Sequence, residues 1–281
     1  QFMTPAAKYA DILLPTSTYM ERNDLVMGGA TPFYGCMNQV IEPLFESKSH
    51  LQIARELAPR LGIHNYLDKS EEDLMRDVVK GSTIPDYEAF RRTGSYKIKL
   101  SEPHLAFQKQ IEDPKNNPFP TPSGKIEIYS QQLADFNNPM VPPIPKYIEA
   151  WESPNSPLFQ RYPLQLVTSH SPVRAHSQFH NLPWLREVVP QKMTISARDA
   201  KERGIKEGDM VRVFNDRGEM VIPAIVTECI MPGVVDVPQG AWYDPDERGV
   251  DKGGCANVLT LDETSPGGAF CSNTTLVQVE K

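Results

Sequence analysis

The 281-residue sequence predicts a chain whose C-terminal part is mainly β and closes into a small barrel, preceded by an irregular, proline-rich arm and a mixed N-terminal segment. Three observations carry this. From Tyr162 onward, short β-rich runs recur around one short helix, a pattern that a closed barrel satisfies without exposed edges. Between residues 103 and 163 stand 12 of the 26 prolines, a density that no continuous helix or sheet tolerates. Before that, helix start and stop signals alternate with turn-rich stretches.

In chain order, residues 9–15 (YADILLP) form an apolar run stopped by Pro15 and read as a buried strand end. Residues 27–35 (MGGATPFYG) are turn-rich. Ser49, with Gln52 three positions on, has the form of a capping box opening a helix whose apolar face is Ala54, Leu57, Ala58 and Leu61. Pro59 kinks or ends it, and Gly62 stops it. Ser70 opens a second helix, with Glu71, Glu72 and Asp73 in its first turn, Leu74, Met75, Val78 and Val79 on its apolar face, and Gly81 at its end. Within the arm one island, 121–136, predicts a turn at Pro122-Ser123-Gly124, a strand over Lys125–Tyr129 and a short helix over Ser130–Phe136. So long an irregular stretch suits an arm wrapped around a larger body.

The barrel elements are strands over Leu164–Val167, Met210–Phe214, Met220–Val226, Val234–Val237 and Thr275–Val279. Asn215-Asp216-Arg217-Gly218 closes a hairpin between the second and third. Ser196 caps a helix through Arg203 that Gly204 terminates.

Composition narrows the function. With 29 basic against 36 acidic residues the net charge is −7, which argues against nucleic acid as a partner. Cys36, Cys229, Cys255 and Cys271 include no CxxC pair, so neither a zinc nor an iron–sulfur site is expected here. The chain opens Gln1-Phe2-Met3, with no initiator or signal peptide, and reads as the continuation of a longer polypeptide.

Two segments could carry chemistry. The loop 168–184 (TSHSPVRAHSQFHNLPW) holds His170, His176 and His180 with Arg174, serines and Gln178. A solvated loop is the plain reading. His176 and His180 are four apart, yet no acidic third ligand is near and there is no HExxH pattern, which argues against a metal. No G-x-S-x-G elbow supports a hydrolase. Hydroxyls, imidazoles and one guanidinium together suit an anionic, heterocyclic ligand. The segment 238–260 pairs glycines with Trp242, Tyr243 and Asn257, which could let a ligand approach the backbone and read a heterocycle edge.

The runs YADILLPTSTYMER, TPSGKIEIYS, LVTSHSPVRAHSQ, VPQGAWYDP and GGCANVLT occur in this order, and with them the chain resembles the C-terminal part of molybdopterin-dependent oxidoreductases of the dimethyl sulfoxide reductase family. The ending, GGCANVLTLDETSP and NTTLVQVEK, looks most like the catalytic subunit of bacterial anaerobic dimethyl sulfoxide reductases. The resemblance implies three regions: residues 1–46, the tail of an α/β domain; 47–160, helices and the wrapping arm; and 161–281, a six-stranded double-psi β-barrel that binds the cofactor. The overall class is then mainly β with an α/β remainder. It implies molybdenum bound by two molybdopterin guanine dinucleotides, with Thr168, Ser169, His170, Arg174, His176, Ser177 and Gln178 in the loop that touches them, Asn257 on the pterin edge, and Ser272 and Asn273 in a late contact. It implies oxygen-atom transfer, through S- or N-oxide reduction. The molybdenum ligand and any iron–sulfur cluster would lie in an N-terminal remainder of the same enzyme. An iron–sulfur electron-transfer subunit and a membrane anchor subunit would be partners, at the periplasmic or outer face of the cytoplasmic membrane. The alternative is a non-catalytic barrel of the same fold acting as cofactor carrier or assembly module.

Overall fold

A computed structural model describes residues 1–29 and 31–281, which form two compact units, Gln1–Asn117 and Pro118–Lys281.

The first unit begins with helix α1 (Pro5–Lys8), capped by Thr4. Strands β1 (Asp24–Met27) and β2 (Phe33–Met37) follow as an antiparallel pair, and β3 (Ser95–Lys97) joins β2 from later in the chain to make a three-stranded sheet. The stretch 27–35, expected to be turn-rich, is only partly so: Met27 ends β1 and residues 33–35 open β2, and the turn lies between them, with Ala30 outside the described residues. Helix α2 (His50–Leu57) starts as expected, with Ser49 Oγ accepting from the Gln52 N–H. The reciprocal half of the capping box is absent, because the Gln52 amide bonds Glu56 instead. A 3₁₀ turn through Pro59 follows, and Gly62 closes it in the left-handed conformation. Helix α3 (Glu71–Lys80) is capped by Ser70 and ends at Gly81. Helices α4 (Tyr87–Thr93) and α5 (Gln108–Glu112) complete the unit. Its core joins Met75 and Val79 of α3, Phe90 of α4, Cys36 of β2 and Ile84.

Two expectations fail in this unit. Residues 9–15 form no strand: Ile12 is 79% exposed, and the chain pairs only at Thr16, with Lys48. A strand needs a ladder partner, and none lies beside the run among the described residues. Of the expected apolar face of α2 and its continuation, Ala58 alone is buried, while Leu57 and Leu61 are exposed.

The second unit contains the arm and the barrel. In the arm, Gly124 turns the chain with φ +69°, and the short helix expected over Ser130–Phe136 forms as α6 (Gln131–Phe136), with Ser130 as its N-cap. The expected strand over Lys125–Tyr129 is absent. Ile126 and Ile128 are exposed, and among the described residues no strand lies beside them to complete their hydrogen bonds.

The barrel closes in the order β4 (Leu164–Val167), β8 (Val234–Asp236), β5 (Met193–Ser196), β7 (Glu219–Thr227), β6 (Met210–Phe214) and β9 (Thr275–Glu280), and back to β4. Helices α7 (Pro183–Val188) and α8 (Ala197–Glu202) flank β5, and α8 ends at Arg203 and Gly204 as its sequence signals. The five strands expected for the barrel all form, within one residue at any end. Strand β5 was not legible, because its four residues run straight into the Ser196 cap of α8. Alternation fills the interior: Leu164, Leu166, Ile195, Val211, Val213, Met220, Ile222, Val235, Val277 and Val279 are all buried in one cluster. Two of the six pairings, β4 with β8 and β5 with β7, are parallel, so the barrel is not a simple up-and-down meander.

Candidate functional site

Strand polarity decides where the candidate segments meet. β4 and β8 run parallel, with Val167 opposite Asp236, so the segments that follow them leave the same end of the barrel side by side. The ladder continues beyond the strands: Val237 N–H donates to Val167 O (3.1 Å) and Gln239 N–H to Ser169 O (2.9 Å). β9 runs antiparallel to β4, with Leu166 opposite Thr275, so the residues just before β9 reach the same end. β5 runs antiparallel to β8, with Thr194 opposite Asp236, and so brings Gln191 there too.

The loop after β4 is held mainly by its neighbours. Thr168 donates through its backbone N–H (2.7 Å) and its hydroxyl (3.1 Å) to the Asn273 side-chain oxygen. Ser169 donates through N–H and hydroxyl to the Asp236 carboxylate (3.0 and 2.7 Å). The His170 ring nitrogen meets the Gln239 amide at 2.9 Å, and its ring packs edge-on against that of His176. His176 and Phe179 both take positive φ, 55° and 73°, which curls the loop tightly. The Trp242 indole N–H donates to Ser177 O (2.8 Å) and so ties the second candidate segment to the first.

Arg174 sits where these strands of chain converge. Its guanidinium donates to Gln191 Oε1 (2.8 Å) and to the Gln239 carbonyl (3.0 Å), with a longer contact to Pro238 O. Gln191 in turn donates to the carbonyls of Pro238 (2.7 Å) and Gly254 (3.0 Å). All these acceptors are neutral, and among the described residues no carboxylate pairs with Arg174. Its Nε is buried and has no acceptor. Burial lowers the guanidinium's proton affinity, but an arginine stays charged across the accessible range. His180, buried beside it, has its pKa pushed down to about 4, chiefly by burial and then by the charges of Arg174 and Arg186. It is a neutral imidazole at neutral pH.

The second segment is organised around Asp251. This fully buried carboxylate accepts backbone N–H groups from Asp244 (2.8 Å), Gly253 (3.0 Å) and Cys255 (2.6 Å). Asn257 follows in a short 3₁₀ turn, Ala256–Val258, where its side chain is exposed.

The structure therefore brings Thr168, Ser169, His170, Arg174, His176 and Ser177 together with Asn273. Gln178 and Asn257 are exposed, and Ser272 takes part through its carbonyl, toward the Thr275 hydroxyl (3.5 Å). Gln191, Gln239, Asp236 and Asp251 complete the framework. Sequence reasoning missed them, since a lone Gln or Asp in a connection carries no pattern. Among the described residues no group of three His, Cys, Asp or Glu could hold a metal. What converges is an uncompensated positive charge, a neutral imidazole, hydroxyls and exposed amides. That set fits an anionic, hydrogen-bond-rich ligand such as a pyrophosphate-linked dinucleotide.

Comparison with known proteins agrees with this chemistry. Residues 164–275 match the family described as molydopterin dinucleotide binding domain, and residues 1–60 match the family described as molybdopterin oxidoreductase. The chain is 44% identical, over 99% of its length, to dimethyl sulfoxide reductase DmsA of Escherichia coli K12, of which it covers 37%. It is 40% identical, over its whole length, to the probable dimethyl sulfoxide reductase chain YnfF of the same strain, covering 38% of it. It is 35% identical to that strain's trimethylamine-N-oxide reductase 1, over 99% of this chain and 36% of that protein. Acetylene hydratase from Pelobacter acetylenicus has the same fold: the TM-score is 0.77 at 24% identity, over all of this chain and 39% of that one. The chain thus spans little more than a third of the length of these relatives.

Proposed function

Since the chain belongs to the molybdopterin oxidoreductases, we propose that it is the C-terminal cofactor-binding portion of a molybdenum enzyme that reduces an S- or N-oxide by oxygen-atom transfer. The cofactor of this reading is bis-molybdopterin guanine dinucleotide. The observation that carries it is Arg174: a half-buried cation with only neutral partners and a buried Nε lacking an acceptor, at the convergence of three loops. Leaving such a charge uncompensated is costly unless an anion arrives. The names of the relatives support the substrate class.

In this reading, residues of this chain bind and orient. Arg174 faces the pyrophosphate charge. Thr168, Ser169, His170, His176, Ser177 and Gln178 supply donors and acceptors along the dinucleotide, and Asn257, Ser272 and Asn273 read its heterocyclic part. When bound, the molybdenum dithiolene centre supplies the two-electron redox chemistry. His180 stays neutral, adding no second charge beside Arg174. The reading places the molybdenum ligand and an iron–sulfur cluster in an N-terminal remainder of the same enzyme. It adds an iron–sulfur electron-transfer subunit and a membrane anchor subunit as partners, and locates the assembly at the periplasmic or outer face of the cytoplasmic membrane.

The test uses the complete enzyme carrying this chain. Molybdenum content, the nucleotide released on acid hydrolysis, and reduction of dimethyl sulfoxide and trimethylamine N-oxide by a reduced viologen are measured for wild type and Arg174→Ala. The reading expects molybdenum, GMP and oxide reduction in the wild type, with cofactor depleted in the variant. Full cofactor content in Arg174→Ala sinks the placement of the site, and release of a nucleotide other than GMP sinks the guanine form.

A further inference from the structure

At the end of the barrel that carries the candidate site, both ends of the segment 260–275 are tied together by a cluster of side chains outside the donor set described above. Glu152, from the arm, is buried with its side chain 5% exposed. Its two oxygens pair with both terminal nitrogens of Arg217 (2.5 and 3.1 Å), and one also accepts the Leu276 N–H (2.6 Å). Arg217 Nε donates to Leu259 O (2.8 Å). Asn215, on the same hairpin tip, donates its amide to both Leu259 O (2.8 Å) and Leu276 O (3.1 Å). Gly218 packs so close to Val258 that a Cβ there would lie 2.7 Å from its carbonyl oxygen. Leu259 and Leu276 are themselves fully buried.

We infer that Glu152, Arg217 and Asn215 form a clasp that positions the segment carrying Asn273, and with it the turn carrying Asn257, against the Thr168 loop. This rests on the proposed cofactor reading. The physical case is one of leverage. The segment 260–275 has little regular structure, and a flexible loop explores many conformations unless its ends are held. Asn273 must stay within hydrogen-bond reach of Thr168, 105 residues away in sequence. The clasp closes the base of that segment two residues beyond Asn257 and three beyond Asn273. It uses a charge-assisted bidentate pair, the strongest hydrogen bonding available to the side chains. The Glu152 carboxylate accepts from both terminal nitrogens of Arg217 and from the Leu276 N–H, so the arm contributes to the site without touching a ligand. Glu152 is in these terms a positioning residue.

Hydrogen exchange and cofactor content, measured on the complete enzyme for Glu152→Ala, Glu152→Gln and Asn273→Ala, test the inference. Glu152→Ala is expected to raise amide exchange at Leu276 and through 260–275 roughly tenfold or more. Exchange around Asp199 and Thr227, at the end of the barrel where β5 and β7 finish, is expected to stay unchanged. Retained molybdenum and nucleotide fall, while the oxide KM of the molecules that keep the cofactor stays at the wild-type value. Glu152→Gln, which keeps the acceptor for Leu276 and the side-chain shape, is expected to recover part of the retention, and it serves in place of the alanine variant should that fail to fold. Unchanged exchange over 260–275, or raised exchange with full cofactor retention, overturns the inference. Cofactor loss in Asn273→Ala but not in Glu152→Ala overturns the clasp and leaves the cofactor reading standing. Retention in both overturns the cofactor reading at Asn273 itself, and the clasp's role with it.

Discussion

Gly240 lies against the carbonyl of His176 so closely that a Cβ at position 240 would stand 1.8 Å from that oxygen, and its φ is +89°. The loop after β4 and the segment after β8 are therefore in backbone-to-backbone contact, with no room for a side chain between them. Gly240→Ala is expected to force the two segments apart. Left-handed backbone alone costs a non-glycine residue about 1–2 kcal/mol, and the clash adds to it. Thermal unfolding of the complete enzyme should show a lowered midpoint, and cofactor content should fall with it. A variant of wild-type stability and content would contradict the contact.

Arg174→Gln is expected to weaken cofactor retention by ~10–100-fold, the value of one or two lost charge-assisted hydrogen bonds. Arg174→Lys should not restore it, because one guanidinium nitrogen already serves both Gln191 and the Gln239 carbonyl while Nε is left for a ligand, and an ammonium has no second nitrogen to present. Equilibrium loss of molybdenum on dilution measures both. Full rescue by lysine would show that charge alone matters at this position.

Asn273 separates a structural from a binding role. Asn273→Asp keeps an acceptor for the Thr168 N–H and hydroxyl, so folding stability should hold within about 0.5 kcal/mol. It places a negative charge beside the proposed dinucleotide site, so cofactor content should drop. A content equal to wild type argues that the dinucleotide does not pass this residue.

The buried His180 makes stability depend on pH. Its folded pKa is about 4, below the ordinary 6.5, so the unfolded chain binds a proton that the folded chain refuses. Its contribution is fully present above about pH 6.5 and is lost as pH falls toward 4. Denaturant titrations at pH 7 and pH 4.5 should show His180→Gln losing less stability than wild type over that interval. Equal losses would mean that His180 is protonated freely in the folded state.

Leu166→Ala is expected to destabilise the enzyme by about 2–5 kcal/mol, since Leu166 is fully buried at the centre of the barrel core. Chemical denaturation checks this.

Several elements were legible because their causes are local. Ser49, Ser70, Ser130 and Ser196 each cap the helix their spacing announces, and in every case the side chain accepts an N–H three residues on. The hairpin at 215–218 closes with Asn215 N–H bonded to Gly218 O, and the strands on either side alternate as their sequence does. The failures share one cause as well. YADILLP and Lys125–Tyr129 have strand-like composition, yet apolar residues make a strand only when another lies alongside. β3 and β5 escaped notice for the converse reason: three or four residues become a strand because β2, or β7 and β8, accept them.

The same division holds for the candidate site. The sequence by itself determined the inventory: the loop rich in histidine, serine and arginine, the glycine–tryptophan segment, and five ordered runs whose family resemblance added Ser272 and Asn273. Those properties are fixed residue by residue. Only the tertiary structure decided that the inventory is one site. The parallel pairing of β4 with β8 and the antiparallel pairing of β9 with β4 point three distant segments out of one end of the barrel. Asn273 thereby meets Thr168, and Arg174 finds Gln191 and the Gln239 carbonyl. Strand direction is a property of closure, set by which long-range ladder buries the core best, and no local run of residues encodes it.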